Sequence, residues 1–270
     1  MTRRRFGLAL AAALFATPAT SAPLDLVYER TVMAAADARC GLFEEGVRSA
    51  LSAFQAQAKG AALRAGTTAR EIASVEGRAR AAASAAACDS KDLNVAAARV
   101  RSAFEGYTRL IRMDFPGDLA AWKADRSSSR DSLRWRLWQP SAFGRDRMIF
   151  GLAGREGANA FVAVAWFADD ARPYGARLVM RDVRLVTQPY IGGASLAQRL
   201  PPASLRGVMA EARSPAGEDL RPDGVKGGWA FRFPAPMAAE MARLDPREAV
   251  AVEFLLPGDK VRRAHIEVGD

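Results

Sequence analysis

The chain has 270 residues, half of them hydrophobic, with 39 Lys+Arg against 30 Asp+Glu and a formal net charge of +9. Basic and acidic residues are interspersed along its length rather than gathered in a block, which argues against a dedicated nucleic-acid-binding surface. A single histidine and only two cysteines leave no soft-metal cluster and no redox or zinc motif.

Residues 1–22 read as a secretory signal peptide. Arg3, Arg4 and Arg5 form a basic start, Phe6 to Phe15 an apolar run, and Thr20-Ser21-Ala22 a small-residue cleavage site, with cleavage after Ala22. The run falls short of the roughly 20 apolar residues that a membrane span needs. No later segment comes close, so no transmembrane segment is expected in the mature chain. The stretch Thr2-Arg3-Arg4-Arg5-Phe6-Gly7-Leu8 resembles a twin-arginine export signal; a short basic n-region in an arginine-rich chain is the plainer reading. Removal of the leader takes away three arginines and no acid, leaving +6 (9 − 3). Either route predicts a periplasmic or secreted bacterial protein in which the cysteines can pair.

Residues 23–115 carry helical periodicity, with no proline between Pro23 and Pro116. The first segment runs from about Leu26 to Lys59, with Phe43, Val47, Ala50, Phe54 and Ala58 on one stripe, and stops at Lys59-Gly60. The second starts at a capping box, Thr68-Ala69-Arg70-Glu71, and points Ile72, Val75, Ala79 and Ala82 inward. The third follows Asp89-Ser90 and carries Leu93, Ala96, Val100, Phe104, Tyr107 and Ile111. The pattern predicts an antiparallel three-helix bundle. Folding the first two segments about Leu63 brings Cys40 and Cys88 to nearly the same height, which predicts a structural disulfide between them.

Residues 116–132 are expected to be a linker, with a short helical turn holding Trp122 and a serine run at 127–129. From Leu133 the period changes to two, and residues 133–270 predict a β-rich domain, an antiparallel sandwich or barrel-like sheet. The strand candidates are Leu133–Trp138, Met148–Leu152, Ala160–Phe167, Leu178–Thr187, Trp229–Phe233, Val250–Leu256 and Ala264–Val268. Turn signals separate them, among them Gly154 to Gly157, Pro222-Asp223-Gly224 and Pro257-Gly258-Asp259. Ala160–Phe167 is apolar on both faces and reads as a central strand. The last two strands form a hairpin whose apolar faces coincide only with an odd loop, which sets Glu253 opposite Arg263. Ser204–Ala212 and Ala238–Leu244 read as short helices. The fold class is therefore α+β.

Chemistry-bearing residues are few. His265, the single histidine and so the one a Ser-His-Asp arrangement would have to use, lies at a polar-facing strand position between Arg263 and Glu267 and reads as a surface strand residue. Asp169, Asp170 and Asp182 have the chemistry for a hard cation, but adjacent aspartates at a strand end read first as a solvated turn. Gly151 to Gly157 lacks the lysine and hydroxyl of a phosphate loop, and no cofactor is expected. The strongest surface is Arg134-Trp135-Arg136-Leu137-Trp138, where Arg134, Arg136 and Trp138 share an outer face able to stack on a sugar and contact an anion. The function expected is an exported envelope protein, a non-enzymatic binding or structural module whose partner is an envelope protein or an anionic glycan, not nucleic acid. The alternative is a periplasmic hydrolase using Asp169, Asp170 or Glu253.

Overall fold

A computed structural model describes residues 23–126, 134–154, 159–222 and 225–270. The leader, the serine run 127–129, Leu133 and the turn residues 155–157 and 223–224 lie outside these ranges. The described residues form helices followed by antiparallel sheets, the α+β class read from the sequence.

Four helices come first: α1 Pro23–Cys40, α2 Glu45–Arg64, α3 Ala69–Ala85 and α4 Lys91–Thr108. The segment expected as one helix over Leu26–Lys59 is two, which corrects the three-helix count. Gly41 turns out of the helix at φ 64°, a left-handed value that glycine adopts without strain. The buried Asp37 carboxylate then holds the corner, accepting from the Phe43 amide at 2.8 Å and the Arg48 guanidinium at 2.8 Å. α3 starts at the expected capping box, with the Glu71 amide donating to Thr68 Oγ1 at 3.2 Å and the Thr68 amide to Glu71 Oε2 at 2.8 Å. Its inner face ends on Ala83 rather than Ala82.

Two clusters fix how the helices run. Met33, Ala36, Phe43 and Val47 pack with Ala83 and Leu93, while Val27 at the other end packs with Ala58, Ala62, Ile72 and Val75. α1 and α3 therefore finish at the same end. There Cys40 and Cys88 form the expected disulfide, with Cα atoms 5.6 Å apart. The bridge arises differently from the expectation: the corner at Gly41 turns α2 back along α1, and α3 then runs in the same direction as α1 and packs against it.

The strands are β1 Arg112–Phe115, β2 Trp122–Asp125, β3 Trp135–Phe143, β4 Asp146–Ala153, β5 Phe161–Trp166, β6 Gly175–Arg181, β7 Leu205–Met209, β8 Ala212–Pro215, β9 Trp229–Arg232, β10 Ala249–Leu256 and β11 Lys260–Glu267. A short helix, α5 Met237–Met241, precedes β10. One sheet has the order β1-β2-β3-β4-β5-β9-β8 and the other β11-β10-β6-β7, with antiparallel neighbours throughout. β5 is interior, as its two-sided apolar run predicted. The hairpin β10–β11 has the loop 257–259, and Glu253 opposes Arg263.

Three expectations are corrected. Trp122 sits in a strand, not a helical turn, because β1 and β2 extend the larger sheet along β3. Ser204–Ala212 holds β7, which satisfies the backbone edge of β6 that a helix would leave open. The strand expected to reach Thr187 stops at Arg181, where the chain turns on Asp182 and the Leu185 and Val186 amides donate to the Asp182 carbonyl.

The two sheets share one core. Phe150, Phe231 and Phe233 from the larger sheet side meet Leu178, Val252, Phe254 and Ile266 from the smaller, and none of these seven retains solvent contact. Phe231 and Phe254 rings lie 5.6 Å apart across that contact. Polar groups join the sheets where β3 passes β11. Gln139 accepts from the Glu267 amide at 2.7 Å, and Ser141 Oγ donates to the His265 carbonyl at 2.8 Å. The fully buried Glu267 carboxylate accepts from the Asp118, Leu119 and Ala120 amides at 2.6–2.7 Å, which fastens the β1–β2 connection over the end of β11. The helical part joins at the same place. Arg64 on α2 makes two 2.8 Å bonds to Asp270, and Arg247 donates to the Leu63 carbonyl at 3.0 Å. Gly60 admits Asp270, because a Cβ there would lie 1.5 Å from its carboxylate oxygen.

Candidate functional site

Two of the acids that a hydrolase would use, Asp169 and Glu253, are bound by arginines. Asp169 is gripped by Arg262 through bonds of 2.9 and 2.5 Å, and Arg262 also holds Asp146 at 2.9 Å. Hydrogen bonding to that guanidinium pulls the Asp169 carboxyl down to about 2. Asp182 is likewise drawn to about 2, chiefly by the guanidinium and backbone amide of Arg184. Asp170 occupies a left-handed turn position at φ 54°. Burial alone raises the Glu253 carboxyl, but Arg177 at 2.5 and 2.8 Å and Arg263 at 3.0 Å more than cancel it and hold it below the ordinary range. A carboxyl locked as an anion between arginines is a poor proton donor near neutral pH. His265 is half-buried on β11 opposite Ala251, and burial followed by the Arg263 charge lowers its imidazole.

The predicted surface on β3 is not a simple face. The register shifts between Trp135 and Leu137, so the ladder passes over Arg136. Trp135 packs on one side of the sheet, with Val164, Trp166 and Leu220, while Leu137 packs into the shared core. The alternation on which a common face for Arg134, Arg136 and Trp138 depended is broken within this stretch. All three side chains are half-buried, and Trp138 lies across from Gly151, where a Cβ would strike the Leu137 carbonyl.

A concavity among the described residues lies in the helical part, where the sequence was read only as core. The stripe on α4 is incompletely covered. Leu93 and Ala97 are buried, but Val100, Phe104 and Tyr107 are half-buried and Ile111, just past the helix, is 59% exposed. α4 meets α2 through aromatic contacts as well as through the shared cluster of Val47 and Leu51 with Leu93 and Ala97. Phe104 rests over Gly46, and Tyr107 meets Phe54 edge-on with ring centroids 4.6 Å apart. Between α1, α2 and α4 this leaves a cleft of about 600 Å³. That lies within the roughly 300–1,000 Å³ usual for small-molecule sites. Its walls are apolar, built from residues such as Val32, Met33, Leu51, Phe54, Val100 and Phe104. The charged lining residues are Glu29, Arg30 and Arg99.

Arg30 is the one half-buried charge in that wall. Its guanidinium donates to the Phe54 carbonyl and lies 5.5 Å from the centre of the Phe54 ring. Burial disfavours its charged form, offset in part by the field of Glu29. The apolar stripe on α4 was visible in the sequence, but not how far its partner helix covers it; that depends on where the corner at Gly41 sends α2.

A second cleft, of about 430 Å³, opens on the outer face of the larger sheet between Pro140, Ile149, Trp166 and Val225. Among the described residues no group of three His, Cys, Asp or Glu side chains is placed to hold a metal ion. No described helix is long and apolar enough to cross a membrane.

Comparison with protein-family models, with curated proteins and with solved structures finds no match to this chain.

Proposed function

We propose that the chain is an exported, non-enzymatic binding module, released from its leader after Ala22 into the periplasm or medium, whose helical part takes up a small apolar molecule between α1, α2 and α4. The observation that carries this reading is the apolar cleft of about 600 Å³ beside a half-covered helix. Covering an apolar groove of that size with an apolar molecule is favourable, because both surfaces leave water. The disulfide supports the exported half of the reading, since such bonds persist in oxidising compartments. The β-rich part, taken as a sandwich, supplies a rigid support for α2. The hydrolase alternative draws no support from Asp169 or Glu253, whose carboxylates are bound by arginines.

Nile red, a neutral apolar dye, tests the binding. The oxidised protein comprising residues 23–270 should bind it saturably, with brighter, blue-shifted emission. Ala103→Trp adds an indole at an exposed lining position on α4 and should weaken binding about tenfold while the fold melts unchanged. Absence of saturable binding, or indifference to the substitution, refutes the cleft as a site. The export reading is checked by sequencing the product found outside the cytoplasm, which should begin at Pro23.

A further inference from the structure

We infer that the molecule held in this cleft is a single-chain amphiphile with a carboxylate head, its chain lying along the helices and its head on Arg30. The inference rests on the reading of the cleft as a binding site and adds the chemistry of its occupant.

Shape comes first. The lining residues run from Leu26 to Met33 on α1, Val47 to Phe54 on α2 and Ala96 to Phe104 on α4. At about 1.5 Å of rise per residue each wall is about 10–12 Å long. An alkyl chain laid along the helix axes can follow these walls over that distance.

Charge fixes the head. The lining holds two arginines and one glutamate, a net charge of +1 (2 − 1). Glu29 is exposed, and no hydrogen bond joins it to Arg30. Several covered arginines among the described residues are paired with a carboxylate: Arg64 with Asp270, Arg181 with Glu248, Arg199 with Asp118 and Arg247 with Asp245. Arg30 instead has one carbonyl bond, to Phe54, among its five N–H donors. A partly desolvated guanidinium at the rim of an apolar groove gains most from an anion, and its planar fork matches a carboxylate with two parallel bonds. Arg99, exposed on the opposite wall, adds to the positive potential at the mouth.

The test is competition against Nile red at pH 8 with three probes of one chain length: dodecanoate, its methyl ester and dodecyltrimethylammonium. Dodecanoate should displace the dye at a concentration about tenfold lower than either of the others, the difference expected of charge-assisted bonds. Arg30→Gln should bring dodecanoate to the level of the ester and leave the ester where it was. Equal competition by all three in the unmodified protein overturns the carboxylate head and leaves the apolar site standing. Dye that does not bind at all overturns the site itself. The comparison of probes on the unmodified protein does not depend on the variant folding, and Arg30→Lys, which keeps charge but not the fork, should fall between the two.

Discussion

Glu253, a candidate acid only in the alternative hydrolase reading, is held in an ion-pair cluster between two arginines. Its carboxylate is buried, and both arginine partners keep about half their side-chain surface in water, 45% and 46%. Glu253→Gln should cost about 1–3 kcal/mol in urea unfolding, the lower part of the range for buried pairs because solvent screens the arginines. Its folded pKa is depressed, so the contribution is complete above the unfolded value of about 4.3 and is lost as pH falls through the folded value. The substitution should therefore shrink the stability difference between the two proteins as the medium is acidified from pH 6 to pH 3; a gap that widens would contradict the assignment. Glu267 carries a lesson about legibility. Alternation with Ile266 marks it as outward-facing, yet it is fully buried, because residues 118–120 fold their amides over it. No local pattern announces a cover supplied from nearly 150 residues away.

At the scale of elements, what could be read were features complete within a few residues. The Thr68–Glu71 box marks the start of α3, and the parity of the loop 257–259 fixes the register of β10 and β11. The break at Gly41 was hidden, because Asp37 and Arg48 hold the corner from either side of it and an apolar spacing of three and four continues through. β1 and β2 were hidden for a related reason: strands of four residues are specified by the strand they join, here β3. The cleft was hidden because periodicity tells which residues of α4 are apolar but not whether a neighbour reaches them. The disulfide was legible, and its effect can be stated. It closes a loop with a sequence separation of 48, worth about 4 kcal/mol by the chain-entropy account. Cys40→Ser or Cys88→Ser should lower the thermal midpoint of the oxidised protein to that of the reduced one; an unchanged midpoint would show that the bridge does not constrain the unfolded chain.

At the scale of the whole molecule, the helical part and the sheets touch through polar contacts that include Arg64 with Asp270, Arg247 with the Leu63 carbonyl, and Arg126, beside β2, with the carbonyl and ring of Tyr107 on α4. The buried aromatic core lies wholly on the β side. Replacing both Arg64 and Arg247 by alanine should therefore divide unfolding into two calorimetric transitions, of which only the helical one responds to reduction of the disulfide. A single transition in that double variant would mean that other contacts couple the parts.

The Arg64–Asp270 contact spans 206 positions of sequence, and the Glu267 anchor nearly 150. Contacts so remote are slow to find, since the intervening polymer must surrender its freedom before they return any free energy. Newly synthesised polypeptide must therefore hold its Phe-rich strands open until β11 arrives, a delay that exposes the chain to aggregation during refolding from denaturant.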